Sequence, residues 1–205
     1  MKTGVYGGTF NPVHKGHIHI VKEFMKRLSL DRVLLIPTFA PPHKVSEELA
    51  PSYDRLEMCR LAIKDEHVKD IFVSDVEIQR KGKSYTAETL KTLSGEYPED
   101  ELFLIMGEDM FLTVEKCKDP ETIFNLASIC TSPRSYTGIK QMKAYAEKVE
   151  KDYGAKVFIE DIPYLAISST VIRNCVKSNN NLEEYLTTSV IKYIQDKGLY
   201  RNDIP

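Results

Sequence analysis

Two histidines with a glycine between them, His14 and His17 around Gly16, are the residues whose types and spacing best suit chemistry. They follow a short apolar segment that runs into a pair of glycines, and apolar residues recur at helical spacing from Ile18 onward. This pattern predicts a strand, a glycine turn and a helix. Residues three apart lie on one helix face, so both imidazoles can point in the same direction.

The predicted turn and helix start suit a phosphate group. Paired glycines allow backbone angles that are closed to other residues and let a ligand approach the main chain. A helix start offers unpaired N–H groups at the positive end of the helix dipole. We therefore expect a polyphosphate site formed by the two histidines and the residues before them, namely Gly7, Gly8, Thr9, Phe10 and Asn11. The glycines match neither the dinucleotide-binding fingerprint nor the P-loop.

A second group of anion-binding residues lies near the carboxyl end of the chain. Ser168, Ser169 and Thr170 open a predicted helix, and Arg173 follows one turn later. Hydroxyls, free N–H groups and a guanidinium suit the β- and γ-phosphates of a nucleotide, although a serine N-cap is the commoner explanation for such a start. Lys44, on a loop stiffened by two prolines, is either a phosphate ligand or a solvated lysine.

Strands and helices alternate along the chain. The strands predicted after the first are 32–36, 71–76, 102–106, 128–131 and 156–160. The helices predicted after the first are 53–64, 86–94 with Gly95 as its stop, 121–126, 139–153, 168–176 and 189–197. This alternation predicts an α/β fold with a doubly wound, Rossmann-like parallel sheet, helices on both faces and a single domain.

Ligands of such sheets bind beyond the carboxyl ends of the strands. Gly107 and Asp109 directly follow the most apolar predicted strand. We expect Asp109 to accept hydrogen bonds from ribose hydroxyls, the alternative being a helix cap.

The composition excludes several classes of function. The 205 residues include 28 basic and 30 acidic side chains, a net charge of −2, whereas proteins that bind nucleic acid usually carry a basic surface. No apolar run reaches the length of a membrane span, and the first residues lack a signal-peptide core. The four cysteines form no C-x-x-C pair, which favours reduced thiols in a cytoplasmic protein. We expect no nucleic-acid partner, no membrane association and no metal held by protein side chains.

The motif His14-Lys15-Gly16-His17 resembles the H-x-G-H signature of nucleotidylyltransferases. Further segments extend the resemblance over nearly the whole chain, namely IP and PPHK at 36–44, KSYT at 83–86 with Thr89-Leu90, Gly107 with Asp109, and ISST with Ile172-Arg173 at 167–173. In this order they resemble the bacterial nicotinate-nucleotide adenylyltransferases. The resemblance implies one nucleotidylyltransferase domain over 1–205, helical from about 168. It implies transfer of AMP from ATP to nicotinate mononucleotide, with Mg²⁺ carried by the ATP phosphates.

The resemblance also implies that a helix start at Tyr85 and Thr86 binds the nicotinate carboxylate. Cys117 falls where many members have a tryptophan that stacks on the pyridine ring, and this chain has no tryptophan. Tyr85, Phe111 and Tyr136 remain alternatives for that contact. Two other functions stay open: an adenylyltransferase for nicotinamide mononucleotide or phosphopantetheine, and a non-catalytic nucleotide sensor. A homo-oligomer is compatible with the sequence, which does not determine the oligomeric state.

Overall fold

Six parallel strands form the centre of the computed structural model, which describes residues 1–41 and 48–201. In chain order the strands are β1 (Lys2–Gly8), β2 (Arg32–Pro37), β3 (Ile71–Val73), β4 (Glu101–Ile105), β5 (Ala127–Thr131) and β6 (Val157–Ile159). They pair in the spatial order β3-β2-β1-β4-β5-β6, and every pairing is parallel. The predicted parallel sheet is therefore confirmed.

The helices occupy the connections between the strands. In chain order they are α1 (Lys15–Leu28), α2 (Ser52–Asp65), α3 (Val76–Arg80), α4 (Thr86–Glu96), α5 (Glu108–Phe111), α6 (Pro120–Leu126), α7 (Tyr136–Tyr153), α8 (Ser169–Lys177) and α9 (Thr188–Lys197), with a 3₁₀ helix at Val114–Lys116. No helix within the described ranges is long and apolar enough to cross a membrane.

Helices cover both faces of the sheet. Successive side chains of a strand point to opposite faces, so each strand contributes side chains to the core on either side. In β2, Val33 and Leu35 belong to one buried cluster, which also contains core residues of α1, α2, α8 and α9. Leu34 and Ile36 belong to a second buried cluster, which contains core residues of α4, α5, α6 and α7. Near-continuous apolar strands of this kind are typical of a parallel sheet that is buried on both sides.

Several predicted boundaries are wrong, including the start of α7, which lies at Tyr136 and not at residue 139. The strand predicted over 71–76 ends at Val73, because β3 is an edge strand that pairs with β2 over three residues only. The chain then turns at Ser74, whose hydroxyl accepts a hydrogen bond from the N–H of Val76 (3.4 Å), and α3 begins. Gly95 does not stop α4, which continues to Glu96. A Cβ added at Gly95 would meet no atom within 4 Å, so nothing local requires a glycine there.

The strand order places an opening at the carboxyl edge of the sheet. The chain proceeds from β1 to β2 and β3 on one side, and from β4 to β5 and β6 on the other. Loops after β1 and β4 therefore lead to opposite faces, and a crevice remains between them. Open α/β sheets bind their ligands at this kind of switch point.

Candidate active site

A cavity of about 480 Å³ lies at this switch point. The loop after β1 contributes Thr9, Phe10 and Asn11, the start of α1 contributes His14 and His17, and the start of α8 contributes Ser168, Ser169, Thr170 and Arg173. Gly107 lines the cavity from the end of β4. Two helix starts that are 154 residues apart in sequence, at Lys15 and Ser169, thus border the same cavity. A volume of this size is ordinary for a small-molecule site.

The two histidine rings of the motif stack on each other, with 3.6 Å between their centroids and 25° between their planes. The Nδ1 atom of His17 accepts a hydrogen bond from the backbone N–H of His14 (3.2 Å). A neutral His17 therefore carries its proton on Nε2, which is the atom that can donate to a ligand. Gly16 makes room for this stack, because a Cβ there would lie 3.1 Å from Nδ1 of His14.

Burial keeps both imidazoles neutral. It lowers the pKa of His14 from 6.5 to about 4, and it lowers the pKa of His17 well below 6.5, with a further decrease from repulsion by His14. Nδ1 of His14 is buried and has no hydrogen-bond partner. The ring of Phe10 lies edge-on to His17 at 5.0 Å and that of Tyr6 at 6.2 Å, so aromatic groups replace water around the pair.

The two glycines before the motif do not act as predicted. Gly7 and Gly8 are the last residues of β1, and neither has a positive φ. The left-handed residue of this loop is Phe10, with φ 46°, a conformation that costs on the order of 1 kcal/mol or more for a non-glycine residue. Gly8 is required for space, because a Cβ there would lie 2.8 Å from the Phe10 ring. Neither glycine lines the cavity.

Arg173 is held at the edge of the cavity by three segments. Its guanidinium donates to the backbone oxygen of Asn11 (3.0 Å), to Thr170 Oγ1 (3.4 Å) and to a Glu48 carboxylate oxygen (3.0 Å). Ser168 is also an N-cap, since its hydroxyl accepts from the N–H of Val171 (3.2 Å). The hydroxyl of Ser169 donates to the backbone oxygen of Pro12 (3.0 Å), which joins α8 to the loop after β1.

Asp109 lies at the rim, outside the lining of the cavity. Its carboxylate is 77% exposed and forms an ion pair with Arg134 at 2.7 Å. The backbone N–H of Arg134 donates to Glu108 (2.6 Å), and the guanidinium lies 6.0 Å from the ring centroid of Tyr164. The cavity is also lined by Glu108, Arg134 and Tyr164. Its rim therefore contains acidic, basic and aromatic side chains.

Comparison with known proteins identifies the family. Residues 5–175 match the family model described as cytidylyltransferase-like. A "Probable nicotinate-nucleotide adenylyltransferase" of Desulfitobacterium hafniense is 37% identical over 203 residues, which cover 98% of this chain and 96% of the relative. The chain belongs to the nicotinate-nucleotide adenylyltransferases of the cytidylyltransferase-like family. It is therefore a nucleotidyltransferase, as the motifs predicted.

Further comparisons agree with this assignment. A relative of the same description from Clostridium novyi is 32% identical over 200 residues, 98% of this chain and 99% of that protein. A solved structure of Plasmodium falciparum nicotinic acid mononucleotide adenylyltransferase, complexed with NaAD, superposes with a TM-score of 0.78 over 98% of each chain. At 20% identity this likeness concerns the fold, and it matches the doubly wound α/β fold described above.

Tyr85 and Thr86 do not line the cavity, but hydrogen bonds of the preceding residue connect them to its border. They begin α4, and Tyr85 is an N-cap residue without a side-chain cap. The preceding Ser84 accepts a hydrogen bond at its hydroxyl from the N–H of Phe39 and donates its own N–H to Ala40, both at 3.0 Å. The start of α4 is therefore fixed to the loop after β2.

The candidates for a ring-stacking residue differ in accessibility. Phe111 is completely buried and packs edge-on against Tyr145 at 5.2 Å, so it is excluded from contact with a ligand. Tyr85 has Lys118 Nζ at 4.5 Å from its ring centroid, beside the half-buried Cys117. Lys44 lies outside the described residues, and its assignment stays a prediction.

Three residues in or next to the site were not predicted from the sequence. Arg134 and Ser132 follow β5, and their position at a strand end is a signal that points to them in retrospect. Arg55 on α2 is completely buried behind the loop after β1, and nothing in its sequence context marks it, because arginine on a helix is usually a solvated residue.

The depressed pKa values predict that the protein loses stability in acid. Above pH 6.5 both imidazoles are neutral whether the chain is folded or unfolded. Below pH 6.5 the unfolded chain binds a proton that the folded His14 refuses until about pH 4. The free energy of unfolding should fall by about 2 kcal/mol between pH 7 and pH 5 through His14 alone. Urea denaturation without nucleotide measures this, with His14→Gln as the comparison. An equal pH dependence in the two proteins would contradict it.

Proposed function

We propose that this chain transfers AMP from ATP to nicotinate mononucleotide, forming nicotinate adenine dinucleotide and pyrophosphate, a step of NAD biosynthesis. One observation carries the proposal: the starts of α1 and α8 open onto the same cavity together with His17 and Arg173. Each helix start attracts anions, and a polyphosphate is the ligand that needs two such starts at once. The names of the relatives support the choice of acceptor.

The chemistry is a displacement at phosphorus. The 5′-phosphate oxygen of the mononucleotide attacks the α-phosphorus of ATP and forms a new P–O bond. The bond from that phosphorus to the bridging oxygen breaks, and its electron pair leaves with pyrophosphate. Such transfers need positioning and charge stabilisation more than covalent help from the protein.

Different residues of the cavity contact different phosphates. His17 Nε2 donates a hydrogen bond to the phosphate on which charge develops, and the adjacent His14 adds a second imidazole. Arg173, with the hydroxyls of Ser168 and Thr170 and the N–H groups of Ser169 and Thr170, holds the departing β- and γ-phosphates. An incoming phosphate competes with Glu48 for this arginine. Lys44 contributes a further positive charge.

Other residues hold the remaining parts of the substrates. Thr9, Phe10 and Asn11 form the wall beside the α-phosphate, with Gly7 and Gly8 shaping that loop. Gly107 lies beside the ribose, and Asp109 at the rim accepts hydrogen bonds from its hydroxyls in exchange for Arg134. The start of α4 at Tyr85 and Thr86 binds the nicotinate carboxylate.

Mg²⁺ enters this reaction bound to the ATP phosphates. Among residues 1–41 and 48–201 there is no group of three or more His, Cys, Asp or Glu side chains that could hold a metal ion. Magnesium commonly retains several waters and binds through substrate phosphates, which suits a cavity whose own charged groups are mainly cationic.

A pyrophosphate-release assay with Mg-ATP tests the proposed function. We expect release with nicotinate mononucleotide and formation of the dinucleotide, confirmed by its mass, and no release with phosphopantetheine or with ATP alone. The groups proposed to bind the acceptor substrate, at Tyr85 and Thr86, are backbone N–H donors that suit a carboxylate, and phosphopantetheine has no carboxylate. Release with phosphopantetheine would transfer the assignment to that acceptor. Nucleotide binding without any release would favour a sensor.

A further inference from the structure

Arg55 is a completely buried arginine, and within residues 1–41 and 48–201 it has no carboxylate among its hydrogen-bond partners. Its donors go instead to backbone oxygens from three different segments. Nη1 donates to the oxygen of Thr9 (2.7 Å), Nη2 to those of Thr38 (2.6 Å) and Phe39 (3.0 Å), and Nε to that of Ala50 (3.0 Å). A planar guanidinium with five donors in a fixed arrangement can satisfy four oxygens at once.

These oxygens belong to the two loops that carry the proposed substrate contacts. Thr9 lies in the loop after β1 and lines the cavity, whereas Thr38 and Phe39 lie in the loop after β2. Phe39 in turn donates its N–H to Ser84, which precedes the start of α4. One continuous set of hydrogen bonds therefore runs from the cavity wall through Arg55 to the proposed carboxylate site.

We propose that Arg55 is a positioning residue that fixes the ATP-binding loop relative to the acceptor-binding elements. This inference rests on the proposed function, because it concerns the alignment of the two substrates. Arg55 touches neither substrate and does not line the cavity. Its effect is on the distance between the attacking oxygen and the α-phosphorus, and a misplacement of about 1 Å at such a site can cost on the order of a hundredfold in rate.

Arg55→Lys tests the proposal because lysine keeps the positive charge and loses the planar arrangement of donors. Three donors on one nitrogen cannot reach oxygens in three segments. We expect kcat per folded molecule to fall about tenfold or more. We expect the Kd for ATP and the Kd for nicotinate mononucleotide, each titrated alone, to stay within about threefold, because each loop keeps its own ligand contacts. Arg60→Lys on the same helix is the matched control, since Arg60 is half exposed and its one ion pair among the described residues is with Glu57, at 3.8 Å.

Amide hydrogen exchange without substrates provides a readout that does not depend on activity. The N–H groups of Phe39 and Ser84 are bonded across the loop that Arg55 holds. We expect their protection to fall about tenfold or more in Arg55→Lys and to be unchanged in Arg60→Lys. A purely structural Arg55 would lower the thermal midpoint while leaving both kcat per folded molecule and this protection at the wild-type level. That result would overturn the proposal.

Ser84→Ala is a second variant that tests the same proposal if Arg55→Lys does not fold. It removes the acceptor of the Phe39 N–H, one step further along the same set of bonds. We expect a several-fold loss of kcat with an unchanged Kd for ATP, and wild-type kcat in this variant would contradict the proposal. If the wild-type protein itself does not release pyrophosphate with nicotinate mononucleotide, the proposed function fails, whereas the exchange measurement still decides whether Arg55 holds the loops together.

Discussion

His17→Ala is expected to lower kcat by about a hundredfold or more while the fold stays intact, because removing one preorganised donor from a charge-stabilising site typically costs that much. Nδ1 of His17 is already occupied by the N–H of His14, so the ring has one orientation and one free donor, Nε2. Stacking on His14 and edge contact with Phe10 hold the ring in that orientation. Steady-state kinetics at saturating substrates measure the effect.

Two further variants separate chemistry from packing. His19→Ala makes the same substitution on the same helix, at a side chain that bonds Pro163 and does not line the cavity, and it should keep near wild-type turnover. His17→Gln places an amide N–H near the position of Nε2 and should recover part of the rate. Turnover of His17→Ala within about threefold of the wild type would remove His17 from the mechanism.

The kcat/KM for nicotinate mononucleotide should exceed that for its amide by about a hundredfold or more. A site made of hydrogen-bond donors discriminates against a ligand group that cannot accept hydrogen bonds. The N-cap residue of α4 gives that helix no side-chain cap, so its first N–H groups remain available at the positive end of the helix dipole. Lys118 beside Tyr85 pairs with Glu88 of the first turn at 3.4 Å and so offsets the negative charge there. A carboxylate gains charge-assisted hydrogen bonds there, whereas the amide brings its own N–H₂ against donors.

Thr86→Pro is a sharp test of that explanation. Proline is well tolerated at the first position of a helix, and Tyr85 already has the extended backbone (φ −103°, ψ 130°) that a residue before proline prefers. The variant removes one backbone donor with little change to the helix. We expect kcat/KM for the acid to fall and kcat/KM for the amide to change little, so the ratio of the two values should decrease. Equal kcat/KM for acid and amide in the wild type would leave a general pyridine mononucleotide adenylyltransferase.

Much of the site was predictable because its groups belong to local patterns. Ser168 and Thr170 open a helix with Arg173 one turn on, and the structure places all three at the cavity. The structure also pairs His14 with His17, but across the helix start, because His14 is the N-cap of α1 with an extended backbone (φ −147°, ψ 169°). Where a local pattern had two explanations, the structure was needed: the glycines before the motif suggested a turn, yet Gly8 provides space for the Phe10 ring.

Residues whose role depends on distant neighbours could not be predicted. Asp109 was expected to face a ribose from its position after β4, and in the structure it pairs with Arg134, which comes from the end of β5. Phe111 was a candidate for ring stacking until its burial against Tyr145 excluded it. The first contact joins α5 to the loop after β5 and the second joins α5 to α7, and the partners in each are more than 20 residues apart in sequence.

The order of the six strands and of the longer helices, the two helix starts suited to phosphate and the family motif could be predicted from the sequence, because periodicity and capping depend on residues a few positions apart. The helix α3 was not predicted. Only the tertiary structure decided which loops meet. The sheet places β1 beside β4, and this brings the start of α1, the start of α8 and the end of β4 to one cavity. It also decided that Arg55 is buried, because four backbone oxygens from three segments converge on its position, and no local pattern in a sequence records such a convergence.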